Sequence, residues 1–252
     1  MRVFVMGDIH GAFKAVKQCF ERASFDYEHD QLIQLGDITD GADEVYECVE
    51  ELLKVKNLIA IRGNHDEWLL EFIRTGIHPY HWTHGGTGTI RSYIKAAGKQ
   101  DTLIPSRKGF KTSLDPADIP ETHRVFFREQ FLYYIDGDNN CFLHAGFERQ
   151  LPFKGQRDDT YFWDRSLWME ALSYEAGKPY PEGNAAFKIV TGFREIFIGH
   201  TPTLNWNKDQ PMSAANILNL DTGTRHGGRL TIMDVKTKEF WQSDPVKELY
   251  AE

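Results

Sequence analysis

The chain has 252 residues, 41% hydrophobic and 26% charged, proportions that exclude disorder throughout and allow a sizeable core. Its 37 acidic residues against 29 basic ones give a formal net charge of −8, which works against binding a long nucleic-acid backbone or an anionic membrane. Three scattered cysteines, Cys19, Cys48 and Cys141, form no C-x-x-C pair; this excludes a disulfide framework and a thiolate zinc site and suits a reducing compartment.

The chain begins at once with a β-rich run, Arg2–Met6, without the basic and apolar segments of a leader, and no apolar run approaches the roughly 18 residues of a membrane span. A cytoplasmic location is the expectation. A helix is predicted over Phe13–Phe25, with Val16, Cys19, Phe20 and Ala23 on one face, then a strand over Gln31–Leu35. Asp43–Lys56 reads as a helix with Val45, Val49, Leu52 and Leu53 inward, Asn57–Ile61 as a strand, and Asp66–Thr75 as a helix. This alternation predicts a parallel sheet with right-handed crossovers.

From Gly76 to about Asp136 the periodicity lapses, apart from a helical stretch near Thr122–Tyr134. That segment reads as a cap inserted into one domain covering residues 1–252, because strands resume at Asn140–Leu143, Glu195–Ile198, Ile217–Leu220 and Arg229–Val235. A further helix is expected near Arg165–Glu175. The glycine-rich turn from Gly223 to Gly228 predicts that the last two strands are antiparallel neighbours.

Five of the strands end in a Gly, Asp, Asn or His cluster: Gly7-Asp8-Ile9-His10-Gly11, Gly36-Asp37-Ile38-Thr39-Asp40-Gly41, Gly63-Asn64-His65-Asp66, His144-Ala145-Gly146 and Gly199-His200-Thr201. Ligands of open α/β sheets bind outside the carboxyl ends of strands, so these loops would converge on one crevice. Carboxylates, imidazoles and an amide oxygen without thiolates suit manganese, iron or zinc, and there are enough of them for two ions. Asp37 is the natural bridge, since a carboxylate has an oxygen for each of two ions about 3.5–4 Å apart.

These motifs, in this order, resemble the calcineurin-like metallophosphoesterases, and within them the bacterial and lambda-phage-like members of the phosphoprotein phosphatase branch. Tyr161-Phe162-Trp163-Asp164-Arg165 and Leu220-Asp221-Thr222-Gly223 extend the resemblance, which runs to about Lys236. It implies a mixed α/β fold, a four-layer α/β/β/α sandwich with the site at the carboxyl ends of the strands. It further implies one metal ion on Asp8, His10 and Asp37 and a second on Asp37, Asn64, His144 and His200, manganese first among the candidates. His65 matches the general acid, Asp40 the carboxylate that orients it, and Arg165 and Arg62 the residues that grip phosphate oxygens. The reaction implied is hydrolysis of a phosphoserine or phosphothreonine ester, or a phosphotyrosine ester, through in-line attack by a hydroxide held between two ions.

Two other functions fit the same motifs: a symmetrical dinucleoside-tetraphosphatase or related nucleotide phosphohydrolase, and a phosphopeptide- or metal-binding module without turnover. One departure bears on this choice. The family carries an arginine after the dyad aspartate, and here that position is Gly41; Arg91, Arg107, Lys108 or Lys111 from the middle segment could stand in for it. Arg165, between Trp163 and Trp168, also suits a packed cation–π role, and Arg62 a structural ion pair. Asp66 fits either the first-turn acid of a helix or an acceptor for an imidazole N–H, and Asp221 either that acceptor or a turn residue. His78, His81 and His84 match no ligand motif and read as rim residues.

Overall fold

The computed structural model describes residues 1–106, 109–177 and 191–251. Strands β1 (Val3–Met6), β2 (Gln31–Gln34) and β3 (Asn57–Ala60) run parallel, with Val3 beside Gln31 and Gln31 beside Asn57. Helices α1 (Phe13–Arg22) and α2 (Val45–Leu52) carry the chain back between them. Phe4, Met6 and Leu32 point into a core shared with these helices, whereas Val5 and Ile33 point into a core on the opposite face. Strands covered on both faces are apolar at successive positions, which is why these runs lack a polar stripe.

A second sheet supplies that opposite core. Strands β7 (Cys141–Leu143), β8 (Ile196–Ile198) and β10 (Ile217–Asn219) are parallel, with β6 (Tyr133–Ile135) and β9 (Met212–Ala214) antiparallel at its edges. Phe142 and Phe197 face the first sheet; Cys141, Leu143, Ile196 and Ile198 face Leu167, Trp168 and Ala171 of the helix α7 region. That region comprises α6 (Asp158–Trp163) and α7 (Ser166–Glu175). The result is the four-layer α/β/β/α sandwich. Among the described residues, no helix is long and apolar enough to cross a membrane.

Several sequence expectations need correction. The strands ending at Leu220 and beginning near Arg229 are not neighbours: β10 lies in the second sheet, while β11 (Thr231–Asp234) joins the first, antiparallel to both β1 and β12 (Phe240–Gln242). The glycine-rich turn carries the chain from one sheet to the other. Both sheets are therefore mixed: the second has antiparallel strands at both edges, the first only on its β11–β12 side.

The helix expected over 122–134 is α5 (Glu121–Arg128), and Tyr133–Ile135 is a strand. Asp136 decides this: its Oδ1 accepts from the amides of Asp138 (2.9 Å) and Asn140 (2.8 Å), closing the turn that pairs β6 with β7. The segment without periodicity contains α4 (Gly86–Ala96), the hairpin of β4 (Leu103–Ser106) and β5 (Gly109–Thr112), and α5. Helix α4 begins Gly-Thr-Gly-Thr, a poor helix-forming run, and is held by tertiary packing, with Ile90, Tyr93 and Ile94 in the same core as Val45 and Val49. The last described helix is α8 (Val246–Leu249).

Phe142 and Phe197 stack between the sheets, ring centroids 4.7 Å apart and planes 10° from parallel, both fully buried. Phe142→Ala should cost about 3–5 kcal/mol of unfolding free energy in urea denaturation.

Candidate active site

The carboxyl ends of β1, β2, β3, β7 and β8 bring the predicted residues together. Ligand atoms of Asp8, His10 and Asp37 lie within 4.8 Å of one another, as do those of Asp37, His144 and His200. Asp37 belongs to both groups. Getting there strains the backbone: His10 (φ 49°), Asp37 (φ 53°), Asp40 (φ 64°) and His200 (φ 66°) all adopt the left-handed region that side-chain-bearing residues avoid. Two glycines answer a different need, close approach. A Cβ at Gly63 would overlap Asp37 Oδ1, and one at Gly199 would overlap Asp8 Oδ1.

Backbone carbonyls set the imidazoles. His10 Nδ1 is 2.7 Å from Asp40 O and 3.0 Å from Thr39 O, and His144 Nδ1 is 2.7 Å from Leu35 O. A carbonyl only accepts, so each Nδ1 carries a proton and each ring turns its Nε2 inward. His10 Nε2 then faces Asp37 Oδ2 at 3.7 Å; His144 Nε2 faces the same oxygen at 3.4 Å and Asn64 Oδ1 at 3.2 Å. Asp8 Oδ1 and His200 Nε2 are buried with no hydrogen-bond partner. Buried polar atoms without partners are costly, and here two acceptors are left beside a shared carboxylate. The donor set fits two divalent cations.

Ionisation follows the same crowding. Burial, and then the charges of Asp221 and Asp37, push the Asp8 carboxyl well up. Burial raises Asp66 and Asp221 to about 6. It lowers His10 to about 3 and holds His200 well below the ordinary imidazole range. For His144 the pull of burial is overcome by Asp37, which raises it, and for Asp37 burial is overcome by the facing imidazoles, which hold it well down.

Beside this cluster, His65 Nδ1 bonds Asp40 Oδ2 at 2.7 Å. The other Asp40 oxygen accepts from Trp82 Nε1 (2.8 Å) and Thr89 Oγ1 (2.6 Å), and Thr89 Oγ1 also accepts the Asp40 amide (2.9 Å). Trp82 and Thr89, unremarked in the sequence, thus bring the 76–136 segment into the site. His65 sits in the first turn of α3 (Asn64–Thr75), which begins two residues before its expected start. The third helical residue, Asp66, acts as a tether rather than an imidazole acceptor. Its Oδ1 takes the Ile38 (2.9 Å) and Thr39 (3.1 Å) amides, and its Oδ2 takes the Gly63 amide (3.2 Å) and Gln130 Nε2 (3.0 Å). Asp221 accepts from the Gly223 amide at 3.0 Å and lines the cavity above the cluster.

That cavity, about 590 Å³, is walled by Trp68, His84, Trp163, Arg165 and Arg225. Arg62 is not among its lining residues: it pairs with Glu67 at 3.2 Å and donates to the carbonyls of Arg128 and Gln130, the structural ion pair. Of the proposed stand-ins for the missing arginine, neither Arg91 nor Lys111 lines the cavity: Arg91 pairs with Asp101 at 3.4 Å and Lys111 is exposed on β5; Arg107 and Lys108 lie outside the described residues. Arg225, which carried no motif, does line it, its guanidinium 3.2 Å from His65 Nε2. His78 packs on Phe72 and Trp82, and the His81 side chain is outside the described set.

The model of the calcineurin-like phosphoesterase family matches residues 1–204. The chain belongs to that family. This phosphoesterase is 22% identical over 234 residues to serine/threonine-protein phosphatase 1 of Salmonella typhimurium, across 93% of this chain and 92% of the relative. It is 23% identical over 292 residues to a symmetrical bis(5'-nucleosyl)-tetraphosphatase of Pseudomonas fluorescens, across 95% and 93%. Among solved structures, a candidate diadenosine tetraphosphatase superposes with a TM-score of 0.64 at 17% identity, covering 96% of this chain and 92% of the other. A Saccharomyces cerevisiae serine/threonine phosphatase superposes at 0.58 and 12% identity, covering 97% and 80%. At those identities the structural likeness speaks for the fold alone. The phosphoesterase is a metal-dependent phosphoester hydrolase.

Because Asp8 and His144 hold their protons to higher pH than usual, a cation must displace protons to bind there. Manganese affinity measured by calorimetry should weaken at least about tenfold from pH 7 to pH 5, with proton release on binding that is visible as a dependence on buffer ionisation enthalpy.

Proposed function

We propose that this phosphoesterase hydrolyses phosphate esters and anhydrides at a two-metal centre, with Asp8, His10 and Asp37 holding one ion and Asp37, Asn64, His144 and His200 the other. The observation that carries the reading is the double membership of Asp37, whose ligand atoms fall within reach of both groups. Two bound divalent ions, manganese before iron or zinc, would supply Lewis acidity toward phosphoryl oxygens and make water nucleophilic near neutral pH. The chain's own residues do the rest. Arg165 grips equatorial phosphoryl oxygens from the cavity wall. His65 Nε2 accepts from the Arg225 guanidinium in this structure. With Arg225 turned to phosphoryl oxygens and the ring protonated, Nε2 delivers a proton to the departing oxygen, and Asp40, fixed by Trp82 and Thr89, holds the ring in the orientation that points Nε2 into the cavity.

On substrate, the walls favour a nucleoside polyphosphate. Trp68 and His84 lie 28° from parallel with centroids 6.4 Å apart, and Trp163, 41% exposed, stands edge-on to His200 at 5.8 Å. A flat aromatic face beside a phosphoryl site suits a nucleobase. A phosphoserine or phosphothreonine peptide is the second reading, favoured by the likeness to the Salmonella phosphatase along nearly the whole chain. The proposed setting is the cytoplasm, in keeping with three buried, unpaired cysteines.

Saturated protein should hold two manganese ions by elemental analysis; one would contradict the scheme. Asp37→Asn should lower metal content and abolish turnover of a nitrophenyl phosphate. His65→Asn should slow alkyl phosphates about 10²–10⁴-fold and the activated aryl ester far less; equal losses would remove His65 as the acid. Trp163→Ala should shift selectivity away from diadenosine tetraphosphate and toward a phosphothreonine peptide by about tenfold in the ratio of kcat/KM.

A further inference from the structure

A second cavity, about 560 Å³, shares a wall with the first, and among the described residues Arg225 lines both. Among the described residues, the other charged groups lining this second cavity are Lys14, Arg91, Lys247 and a single carboxylate, Asp43. Four cations against one acid among the described lining residues is an unusual local balance in a chain of net charge −8. The four come from separate elements: Lys14 from α1, Arg91 from α4, Arg225 from the turn between β10 and β11, and Lys247 from α8. Thr87 and Gly88, in the first turn of α4, line the same space, so the positive end of the helix dipole adds to the field.

Little of this charge is neutralised locally. Lys14 Nζ donates to Leu249 O at 2.8 Å and lies 4.6 Å over the Tyr250 ring, contacts that leave its charge in place. Arg91 pairs at 3.4 Å with exposed Asp101, which does not line the cavity, and Lys247 has no acidic partner among the described residues. Glu44, which accepts from the Tyr250 hydroxyl, keeps its negative charge but does not line the cavity. Mutually repelling cations around one concavity are stabilised by an anion that bonds several at once.

The position of Arg225 says which part of a substrate that anion is. Its guanidinium touches His65 Nε2, the atom that faces the departing oxygen, so the shared wall lies on the leaving-group side. We propose that the second cavity is a subsite for the phosphates of a phosphoanhydride chain that continues beyond the scissile bond, gripped first by Arg225 and then by Lys14, Arg91 and Lys247. This rests on the phosphohydrolase reading of the first cavity. In that hydrolysis, the water oxygen bonds to phosphorus, the bond from phosphorus to the leaving oxygen breaks, and that oxygen takes the His65 proton. The leaving group departs carrying the phosphates held in the second cavity. Arg225 thereby supplies, from the far end of the chain, a guanidinium near the place where Gly41 has none. A side chain at Gly41 itself would press on the His10 carbonyl, and its φ of 134° disfavours any Cβ.

The test is binding of inorganic tripolyphosphate and orthophosphate, by calorimetry, to full-length protein freed of metal with chelator, so that capture of metal by polyphosphate cannot mimic binding. In wild type, tripolyphosphate should bind at least about tenfold more tightly than orthophosphate, and Arg91→Glu/Lys247→Glu should erase that margin. Both positions are exposed, and an unchanged melting temperature would exclude misfolding. Equal affinity for the two anions in wild type, or an unaltered margin in the double variant, would overturn the proposal. A margin found only for a doubly phosphorylated peptide would overturn the phosphoanhydride assignment. Absence of turnover with manganese would instead count against the two-metal reading, because this binding measurement needs neither metal nor catalysis.

Discussion

Asp37 is engaged at every polar atom for which the site has a use. Its backbone carbonyl accepts the amides of Ile9 (3.0 Å) and His10 (2.9 Å), tying the loop after β2 to the loop after β1. Its Oδ1 accepts the His65 amide at 3.0 Å, fixing the start of α3, and its Oδ2 faces His10 and His144. One carboxylate in a left-handed backbone conformation therefore sets the spacing of three strand ends from the first sheet and one from the second. Its position is over-determined by the sandwich: the neighbouring Phe142 and Phe197 of the second sheet pack as a pair into the core between the sheets, and Asp66 ties amides of the loop after β2 to the Gly63 amide after β3. Strain of about 1–3 kcal/mol for each such residue persists only where surrounding structure holds it.

The electrostatics of the cluster suit the metal-ligand set proposed for it. Carboxylates crowded out of water beside imidazoles of which burial keeps His10 and His200 neutral are unfavourable as a resting arrangement, and they suit a divalent cation. The acidity of the chain takes on another meaning in that light. Part of the net −8 is ligand charge buried beneath the cavity, while a group of cations is segregated beyond Arg225. Net charge argues against long polyanions; the local distribution favours short ones.

Much of the fold could be read in advance, because buried parallel strands and amphipathic helices announce themselves through local periodicity. The failures cluster where local preference and tertiary context disagree. Tyr133–Ile135 continues an apparently helical run, yet the Asp136 turn makes it a strand. Helix α4 opens with glycines and threonines and forms because its apolar face has a core to join. The stretch from Gly223 to Gly228 looks like a hairpin turn, but β10 pairs with β8 and β9 and β11 with β1 and β12, so it crosses between sheets.

What the sequence by itself determined was the chemistry of the cluster: Asp8, His10, Asp37, Asn64, His65, His144 and His200 each sit in a short motif at a strand end, and a strand end delivers its next few residues to one edge of the sheet whatever the rest of the chain does. Only the tertiary structure decided the support and the surroundings. Trp82 and Thr89 hold Asp40 from a segment some forty to fifty residues downstream of it, Arg62 turns out to be spent on Glu67, and Arg225 arrives beside His65 from 160 residues away. Such contacts depend on which elements share a core, a sum over many packing interactions that no single stretch of chain contains.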